Sequence, residues 1–487
     1  TLVSNPDNFF DVNQGLYVYG PEGNYDPYIL PFFGANFWND WERDVHFSFY
    51  EPNGELGVAL DAGVKIFGNW SRGNDQRSMS IFARGRYGFS DIEYPIFPQL
   101  DYDKFEAIVL RSSGNDWMRT NIKDVIATSL MDGSGIETQA YRSSIVYLNG
   151  EYWGLYNIRE KVNEHFLDDK INVTKSEINI LERNGEIVEG TNQTYNELIE
   201  FVTNNSLANS ANYDVVADQV DIDNLIAYQV AQIYLDNTDW PGNNIKFWNS
   251  PETKWRWILY DTDFSFGRPW DAPPFYDNDT LSFALYAFGP GWPNPPWSTL
   301  LMRRLIENTE FKNQFINRFA DESNTRFKAD SVRQHVEQVA ASVAPEIPQH
   351  FEYWSRWENR SVYWQNQFML STYDEWVAEV DKIKEFTDNR IPYLTNHFIN
   401  YFGIDGTHNL TLNINNTLAG SVQLNSLTLS DSSWQGEYFD NIPILIEAIP
   451  NEGYVFSHWD GVTGESSAAL TITMTADMTI QAVFIAQ

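Results

Sequence analysis

Two short acidic stretches of the chain hold the residues whose types and spacing could do chemistry. The first, DNTDWPGNN (236–244), places Asp239 five residues before Asn244, and the second, DTDFSFG (261–267), brings Asp261 and Asp263 after an apolar run. Asn, Asp, Pro and Gly together are typical of turns, so one interpretation is a surface loop. Carboxylate and amide oxygens are also the ligands of hard divalent cations, so the other interpretation is a metal site that activates a hydroxyl.

The order of these residues resembles the layout of a phosphoryl-transfer site. There an Asp accepts the proton of the attacking hydroxyl, an Asn five residues later holds a metal, and an Asp ahead of Phe and Gly holds the metals that bridge the phosphates. Asp239 and Asn244 have this spacing, and Asp261 and Asp263 stand ahead of Phe264. The combination favours a metal–nucleotide site over turn caps and loop hydrogen bonds.

A glycoside hydrolase is a third interpretation. The chain has 18 Trp residues, and Trp with paired carboxylates would suit a sugar substrate, with Asp239 and Asp261 or Asp263 flanking the scissile bond. That chemistry has no use for an Asn five residues after the first Asp, nor for the basic residues described next. It is therefore the weakest of the three.

A cluster of basic residues early in the chain could contact phosphates. Five basic residues and one acid lie between Lys65 and Arg86, in a chain whose net charge is −35. The cluster is either an anion site, most simply for phosphate, or a solvated strand face. In the phosphoryl-transfer layout a strand base contacts the phosphates and a helix Glu pairs with it. The candidates for phosphate binding and for that Glu are Lys65, Arg72, Arg77, Arg111 and Glu160.

Composition limits the class of protein and its partners. The strongly negative charge repels nucleic acid, so we expect no nucleic-acid partner. Cysteine is absent, which excludes disulfides, thiolate metal sites and Cys nucleophiles. No apolar stretch is long enough to span a bilayer. Because the numbering starts at Thr1 rather than at a Met, we expect a mature, exported chain.

The pattern of apolar residues predicts an α+β fold. Residues 1–175 read mainly as strands, with Asn149-Gly150 as the turn of a hairpin over 143–160. Helical spacing dominates from about 176 to 405, including a helix over 221–240 that leads to Asp239. Lys and Arg vanish after Gly406, where Thr-, Asn- and Ser-rich alternating strands begin. We therefore predict a domain over 1–405 with a β-rich and a helical lobe, followed by a small all-β module over 406–487.

Four separated blocks of the sequence resemble the spore-coat CotH kinase-like family. They are VKIFGNWSRGNDQRSMSIFARGRYG (64–88), LRSSGNDWMRTNIKD (110–124), VYLNGEYWGLYNIREKVNEHF (146–166) and the two acidic stretches with the strand between them. The resemblance implies a divergent protein-kinase-like fold, with a β-rich N-lobe and a helical C-lobe. It also implies a bacterial protein, secreted or at the cell surface, that uses ATP and a divalent cation (Mg²⁺, Mn²⁺ or Ca²⁺) to phosphorylate Ser residues of extracellular or coat proteins.

By the same resemblance, Asp239 is the catalytic Asp, Asn244 and Asp261 bind metal, Asp263 is a second ligand and Glu160 is the helix Glu. The family usually has Arg-Gly and a Lys pair where this chain has Phe67-Gly68 and Gln76-Arg77. Arg can hold phosphate in bidentate geometry. A kinase acting on Ser or Thr hydroxyls of proteins and a binding or scaffold protein that keeps the fold without turnover both stay open.

The C-terminal module has a resemblance of its own. GYVFSHW (453–459) and the closing strand AVF (482–484) are similar to the divergent InlB B-repeat modules of bacterial surface proteins. The resemblance implies a spacer or adhesive module, so we expect cell-surface or polysaccharide association through this segment and no catalytic role.

Overall fold

Alternating apolar residues build the N-terminal strands, which close into a barrel. The computed structural model describes residues 1–267, 275–356, 369–462 and 467–487. The strands of the first 160 residues are β1 (Leu2–Val3), β2 (Arg43–Tyr50), β3 (Leu56–Phe67), β4 (Ser78–Phe82), β5 (Ile92–Glu93), β6 (Lys104–Phe105), β7 (Ala107–Arg111), β8 (Glu137–Thr138), β9 (Tyr141–Leu148) and β10 (Glu151–Glu160). The barrel has the order β1-β2-β3-β4-β7-β10-β9, and β1 closes it by pairing in parallel with β9.

The turn between β9 and β10 confirms the predicted hairpin. Asn149 and Gly150 have φ values of 51° and 86°, the left-handed conformations that a two-residue hairpin turn requires and that Asn and Gly tolerate best. Strand β10 then continues beside β7 with Asn157 opposite Arg111. The hairpin thus brings the end of β10 next to the strand that carries Arg111.

A second sheet and most of the helices lie in the middle of the chain, whereas the short α1 lies beside the barrel. The helices are α1 (Asp7–Phe10), α2 (Lys123–Leu130), α3 (Glu164–Ile171), α4 (Gln193–Asn204), α5 (Ser210–Ala217), α6 (Ile222–Tyr234), α7 (Thr280–Ala284), α8 (Leu300–Leu305), α9 (Thr309–Ser323), α10 (Ala329–Val343), α11 (Ile347–Ser355) and α12 (Tyr373–Phe402). The sheet has the order β12-β11-β13-β14-β8. Its new strands are β11 (Asn179–Glu182), β12 (Glu186–Glu189), β13 (Lys246–Ser250) and β14 (Thr253–Leu259).

Helix α6 lies in the apolar core and ends where the first acidic stretch begins. Asp221 caps its first turn by accepting a hydrogen bond from the backbone N–H of Asn224, which satisfies a donor that a helix start leaves free. Residues 224–234 are all buried. The predicted helix is confirmed, but it stops at Tyr234, five residues short of Asp239. Within the described ranges, none of the helices is both long and apolar enough to cross a membrane.

Two four-stranded sheets form the C-terminal module. Its strands are β15 (Thr407–Ile414), β16 (Gly420–Leu424), β17 (Leu427–Leu429), β18 (Ser433–Phe439), β19 (Pro443–Pro450), β20 (Tyr454–Asp460), β21 (Ala469–Thr473) and β22 (Met478–Ala486). The sheets have the orders β18-β15-β22-β20 and β17-β16-β19-β21. Period-two alternation buries one face of each, as in β15, where Leu410 and Leu412 are fully buried. The molecule is thus α+β, with a β-rich N-terminal region, a helical middle and an all-β C-terminal module, as predicted.

Candidate active site

The turn after α6 is held by hydrogen bonds from its own acids and amides. Asp236, with φ 52°, accepts hydrogen bonds from Asn278 Nδ2 at 2.7 Å and Thr280 Oγ1 at 2.5 Å. Asn237 donates to Gln232 Oε1 at 2.9 Å and accepts from the backbone N–H of Asp239 at 3.1 Å. The side chains of Asp236 and Asn237 thus stabilise the turn that carries Asp239.

The carboxylate of Asp239 is buried and receives three hydrogen bonds. Asn243 Nδ2 and Trp292 Nε1 donate to Oδ1 at 2.9 and 2.7 Å, and Asn244 Nδ2 donates to Oδ2 at 2.9 Å. Burial raises the pKa of this carboxyl to about 6; the charge of Asp261 adds to the rise and the three donors oppose it. At neutral pH Asp239 is therefore mostly ionised, but its pKa is close enough to neutrality for it to accept a proton, as a general base must.

Asn244 links Asp239 to the second acidic stretch. Its Nδ2 also lies 3.3 Å from the backbone oxygen of Asp261. Both Asn244 and Asp261 have left-handed backbones, with φ of 47° and 52°, a conformation in which Asn and Asp are enriched but which is uncommon for side-chain-bearing residues. Such conformations cluster at functional sites when the surrounding structure enforces them.

Asp261 and Asp263 share the guanidinium of Arg111. Arg111 Nη2 lies 2.5 Å from Asp261 Oδ1 and 3.6 Å from Asp263 Oδ2. Oδ2 of Asp263 also accepts the backbone N–H of Asn115 at 2.7 Å, whereas no described residue donates a hydrogen bond to its buried Oδ1. Burial and the neighbouring Asp261 raise the pKa of Asp263 well above its usual range. The site thus holds a carboxylate oxygen that lacks a partner.

A glycine lets the loop after β7 approach Asp263. A Cβ on Gly114 would stand 2.0 Å from Asp263 Oδ2, and its φ is +59°. A side chain would therefore clash with the carboxylate at a backbone angle that favours glycine. Gly114 lets the following amide, that of Asn115, reach Asp263.

Asp124, near the start of α2, connects Arg111 to the loop that carries Asp261 and Asp263. This residue was not identified from the sequence. Its Oδ2 lies 3.2 Å from Arg111 Nε and also pairs with the fully buried Arg159, while its Oδ1 accepts the backbone N–H of Thr262 at 2.8 Å. Although burial opposes it, the charges of Arg159 and Arg111 lower the pKa of Asp124 to about 2. An ion pair between a strand base and a helix acid, the arrangement predicted for Glu160, is made here by Arg111 and Asp124.

Glu160 occupies a different place from the one predicted. It is the last residue of β10, because Asn163 caps α3 and that helix starts only at Glu164. Its carboxylate accepts the backbone N–H of Ala140 at 2.7 Å, pairs with Lys170 at 3.1 Å and accepts the hydroxyl of Tyr102. In the described part of the chain it contacts neither Lys65 nor Arg77.

The predicted phosphate ligands fall into two groups. Arg111 lies among the acids, whereas Lys65, Arg72 and Arg77 lie together elsewhere on the barrel. Lys65 pairs with Asp40, and Arg72 donates to the backbone oxygens of Gly68 and Phe37 at 2.7 and 2.9 Å.

Arg77 is enclosed rather than exposed. It is 3% exposed, its guanidinium lies 4.0 Å from the ring centroid of Phe37 and 4.9 Å from that of Tyr17, and its Nε donates to the backbone oxygen of Arg72 at 2.8 Å. The structure does not bring this residue to Asp239 or Asp261.

Two lysines that the sequence interpretation did not single out extend from this group toward Asp261. Burial lowers the pKa of Lys161, which follows β10; the charges of Glu106 and Glu164 oppose the shift, and that of Lys65 adds to it. Burial also lowers the pKa of Lys246 on β13, where Glu182 and Asp261 oppose the shift and Lys161 adds to it. The charges of Lys65 and Lys161 thus act on each other, as do those of Lys161 and Lys246, and the charge of Asp261 acts on Lys246; we call the three lysines the row of lysines. The sequence signal for Lys246 was its position two residues after Asn244.

The oxygen atoms at this site fit a hard divalent cation that also binds substrate phosphates. Asn244, Asp261 and Asp263 offer amide and carboxylate oxygens, and Asp263 Oδ1 is buried without a donor. Among the described residues, no three His, Asp or Glu side chains lie close enough to hold a metal by themselves. Mg²⁺ can be held by one or two carboxylates together with phosphates and water.

The β-rich region, the helical region and the polar residues between them define a kinase-like protein. A family model described as CotH kinase protein matches residues 64–394, more than half of the chain, so this chain belongs to the CotH kinase family. A second model, for the divergent InlB B-repeat domain, matches residues 410–487.

The similarity of the chain to solved structures is weak. A solved complex from Shewanella oneidensis MR-1, the toxin–antitoxin system HipA and HipB with its operator DNA, is similar at 12% identity and a TM-score of 0.27, covering 79% of this chain and 75% of that one. A TM-score of that size does not establish a shared fold. No curated protein matches the chain.

Proposed function

We propose that the protein is an atypical protein kinase, which transfers the γ-phosphoryl group of ATP to Ser or Thr hydroxyls of a protein acceptor. The observation that carries this proposal is the hydrogen-bonded connection from Asp239 through Asn244 to Asp261. It joins a carboxylate suited to accept a proton to oxygens suited to hold a divalent cation (Mg²⁺, Mn²⁺ or Ca²⁺). A hydrolase acting on sugars would have no use for this amide.

Asp239 acts as the proton acceptor in this proposal. The acceptor hydroxyl oxygen forms a bond to the γ-phosphorus, the bond to the bridging oxygen breaks, and ADP leaves with that electron pair. Asp239 orients the hydroxyl and takes its proton. The cation, when bound by Asn244, Asp261 and Asp263, supplies positive charge against the phosphate oxygens.

The row of lysines is suited to the phosphate tail of the nucleotide. Lys246 and Lys161 are held in partly buried positions where burial disfavours their charge. An incoming polyphosphate would stabilise that charge, and an ammonium is a common phosphate binder. We assign Lys65, Lys161 and Lys246 to the phosphates, and Arg111 to holding Asp261 and Asp263.

A binding or scaffold protein without turnover is the second candidate. The 2.5 Å contact between Arg111 and Asp261 favours it, because the guanidinium already neutralises a carboxylate that a metal would need. In that case nucleotide would bind without transfer, or not at all.

Incubation with γ-labelled ATP and each of Mg²⁺, Mn²⁺ and Ca²⁺ separates the two candidates. The kinase proposal expects label in the protein itself or in casein, lost in Asp239→Ala and kept in a matched change of an exposed acid, Asp214→Ala on α5. Metal-dependent ATP binding by calorimetry without any transfer would support the scaffold. Absence of both transfer and binding would refute the kinase proposal.

We also propose a division into a kinase domain over 1–405 and a module over 406–487. The two family matches leave 395–409 between them, and α12 ends at Phe402, followed by Gly403, whose φ is 65°. A secreted or cell-surface location, with association through the module, fits the family and the B-repeat match. Expression with fractionation of the bacterial host would test that location.

A further inference from the structure

Trp292 stands at the candidate catalytic acid although nothing in the sequence patterns singled it out. It lies in the Pro-rich segment 286–297, half of its surface is exposed, and its indole N–H donates to Asp239 Oδ1 at 2.7 Å. It is 53 residues away from Asp239 in the chain. A single exposed Trp side chain needs no explanation. The only hydrogen-bond donor of Trp292, its indole N–H, is however bonded to the buried carboxylate of Asp239.

The segment that carries Trp292 is locked to the turn that carries Asp239. The backbone N–H of Gly242 donates to the oxygen of Pro293 at 2.7 Å. A Cβ on Gly242 would lie 2.2 Å from Cδ of Pro295, so the two backbones approach as closely as a glycine permits. Asn294 fastens the other side by donating to the oxygen of Phe283 at 2.6 Å. The position of the indole is therefore set by the turn itself.

The hydrogen bonds of Asp239 distinguish its two oxygens. An ionised carboxylate offers about four lone-pair directions, two on each oxygen. Trp292 and Asn243 occupy both on Oδ1, and Asn244 occupies one on Oδ2. Within the described residues, the remaining direction on Oδ2 has no donor. The carboxylate therefore has one oxygen that is saturated and one that can accept a proton.

We infer that Trp292 is a positioning residue, which holds Oδ1 of Asp239 so that Oδ2 faces the acceptor hydroxyl. The inference rests on the proposed function and goes beyond it in two ways. It assigns the proton of the acceptor hydroxyl to Oδ2 of Asp239, and it explains why the half-exposed indole of Trp292 contacts Oδ1. Without the indole N–H the carboxylate could rotate about its last bond, and Oδ1 would regain a free lone pair. The fraction of carboxylates in the productive orientation would fall.

Trp292→Phe tests this, because it removes the N–H and keeps an aromatic ring. A hydrogen bond to a charged group is worth enough that kcat should fall about tenfold or more, while the KM for ATP stays unchanged. Trp434→Phe, in the C-terminal module, is the matched control and should leave both constants unchanged. A Trp292→Phe variant with wild-type kcat would overturn the inference.

A second measurement decides the contact without relying on turnover. In ¹⁵N-Trp-labelled protein, the indole resonance missing from Trp292→Phe identifies Trp292. That resonance should lie at the low field of a hydrogen-bonded indole N–H in the wild type and should move upfield in Asp239→Ala, which removes the acceptor. If the wild type transfers no phosphoryl group, the proposed function fails while this chemical-shift change still reports the contact. A resonance at the same position in the wild type and in Asp239→Ala overturns the contact and the inference with it.

Discussion

The buried carboxylate of Asp239 makes the stability of the protein depend on pH in an unusual direction. Its pKa rises from 3.8 to about 6 in the folded chain. Because the folded state binds this proton more tightly than the unfolded state, the carboxyl increases the free energy of unfolding, and it does so most below pH 3.8, the pKa of the unfolded chain. That contribution is lost as pH rises through about 6, the reverse of a salt-bridged Asp.

Asp239→Asn isolates this contribution. A pKa difference of that size is worth about 2 kcal/mol between pH 4 and pH 7, since each tenfold change in proton affinity is about 1.4 kcal/mol and the unfolded carboxyl is already partly ionised at pH 4. For a chain of 487 residues, with an unfolding entropy of about 2.1 cal/mol/K per residue, the corresponding change in melting temperature is about 2 °C. Relative to Asp239→Asn, the wild type should therefore lose about 2 °C between pH 4 and pH 7.

Differential scanning fluorimetry from pH 4 to pH 8 measures the difference. Subtracting the two profiles removes the titration of the other acids, and Asp214→Asn on α5, an exposed acid, controls for the change of net charge. We expect the difference profile to bend near pH 6 for Asp239→Asn and to stay flat for the control. A flat profile for Asp239→Asn would refute the burial argument and, with it, the description of Asp239 as a tuned base.

Three other substitutions probe the surroundings of the site and the docked module. Arg111→Met leaves Asp261 and Asp263 without their shared cation and should lower the free energy of unfolding at pH 7 by about 3–5 kcal/mol, measured by urea unfolding. This loss of stability should become smaller at lower pH as the two acids are protonated. A loss that does not change with pH would contradict the explanation by an ion network. Lys246→Met should raise the KM for ATP about tenfold without changing the melting temperature by more than a few degrees; an unchanged KM would remove Lys246 from the phosphate site. Asp321→Ala should loosen the contact between α9 and the C-terminal module, because the buried Asp321 accepts hydrogen bonds from Asn425, Ser426 and Tyr438. Each donor left without an acceptor costs about 1–3 kcal/mol. Limited proteolysis should cut the segment 403–406, between α12 and β15, faster than in the wild type, and equal rates would show that the module is held by its apolar contacts alone.

Local patterns were enough to predict the elements that carry the site. The Asn149-Gly150 hairpin, the helix capped by Asp221 and the apolar strand before Asp261 each depend on residues close together in the chain. The spacing of Asp239 and Asn244 is also local, because both lie on one turn. Whether these residues bind metal and transfer phosphate stays a prediction.

Long-range pairing could not be predicted in the same way. The sequence offered Lys65 and Arg77 as strand bases for Glu160, whereas the strand–helix ion pair observed joins Arg111 and Asp124. A buried Arg can pair with any of several acids in the sequence. That Arg111 pairs with Asp124, Asp261 and Asp263 depends on the packing of β7 beside α2 and the 261–263 loop. The enclosure of Arg77 by Phe37 and Tyr17 likewise depends on a segment that precedes it by forty residues or more.

By itself, then, the amino-acid sequence determined the α+β order of elements, the all-β module and the residues that stand on the turn after α6, and four blocks of it resemble one family. The elements follow from periodicity, capping and spacing, which act over a few residues. The tertiary structure alone decided which oxygen of Asp239 is free, that Trp292 holds the other one, and that the charges of Lys161 and Asp261 both act on Lys246. Those features depend on the directions of side chains from distant segments, and burial, which sets their pKa values, exists only once the segments have packed.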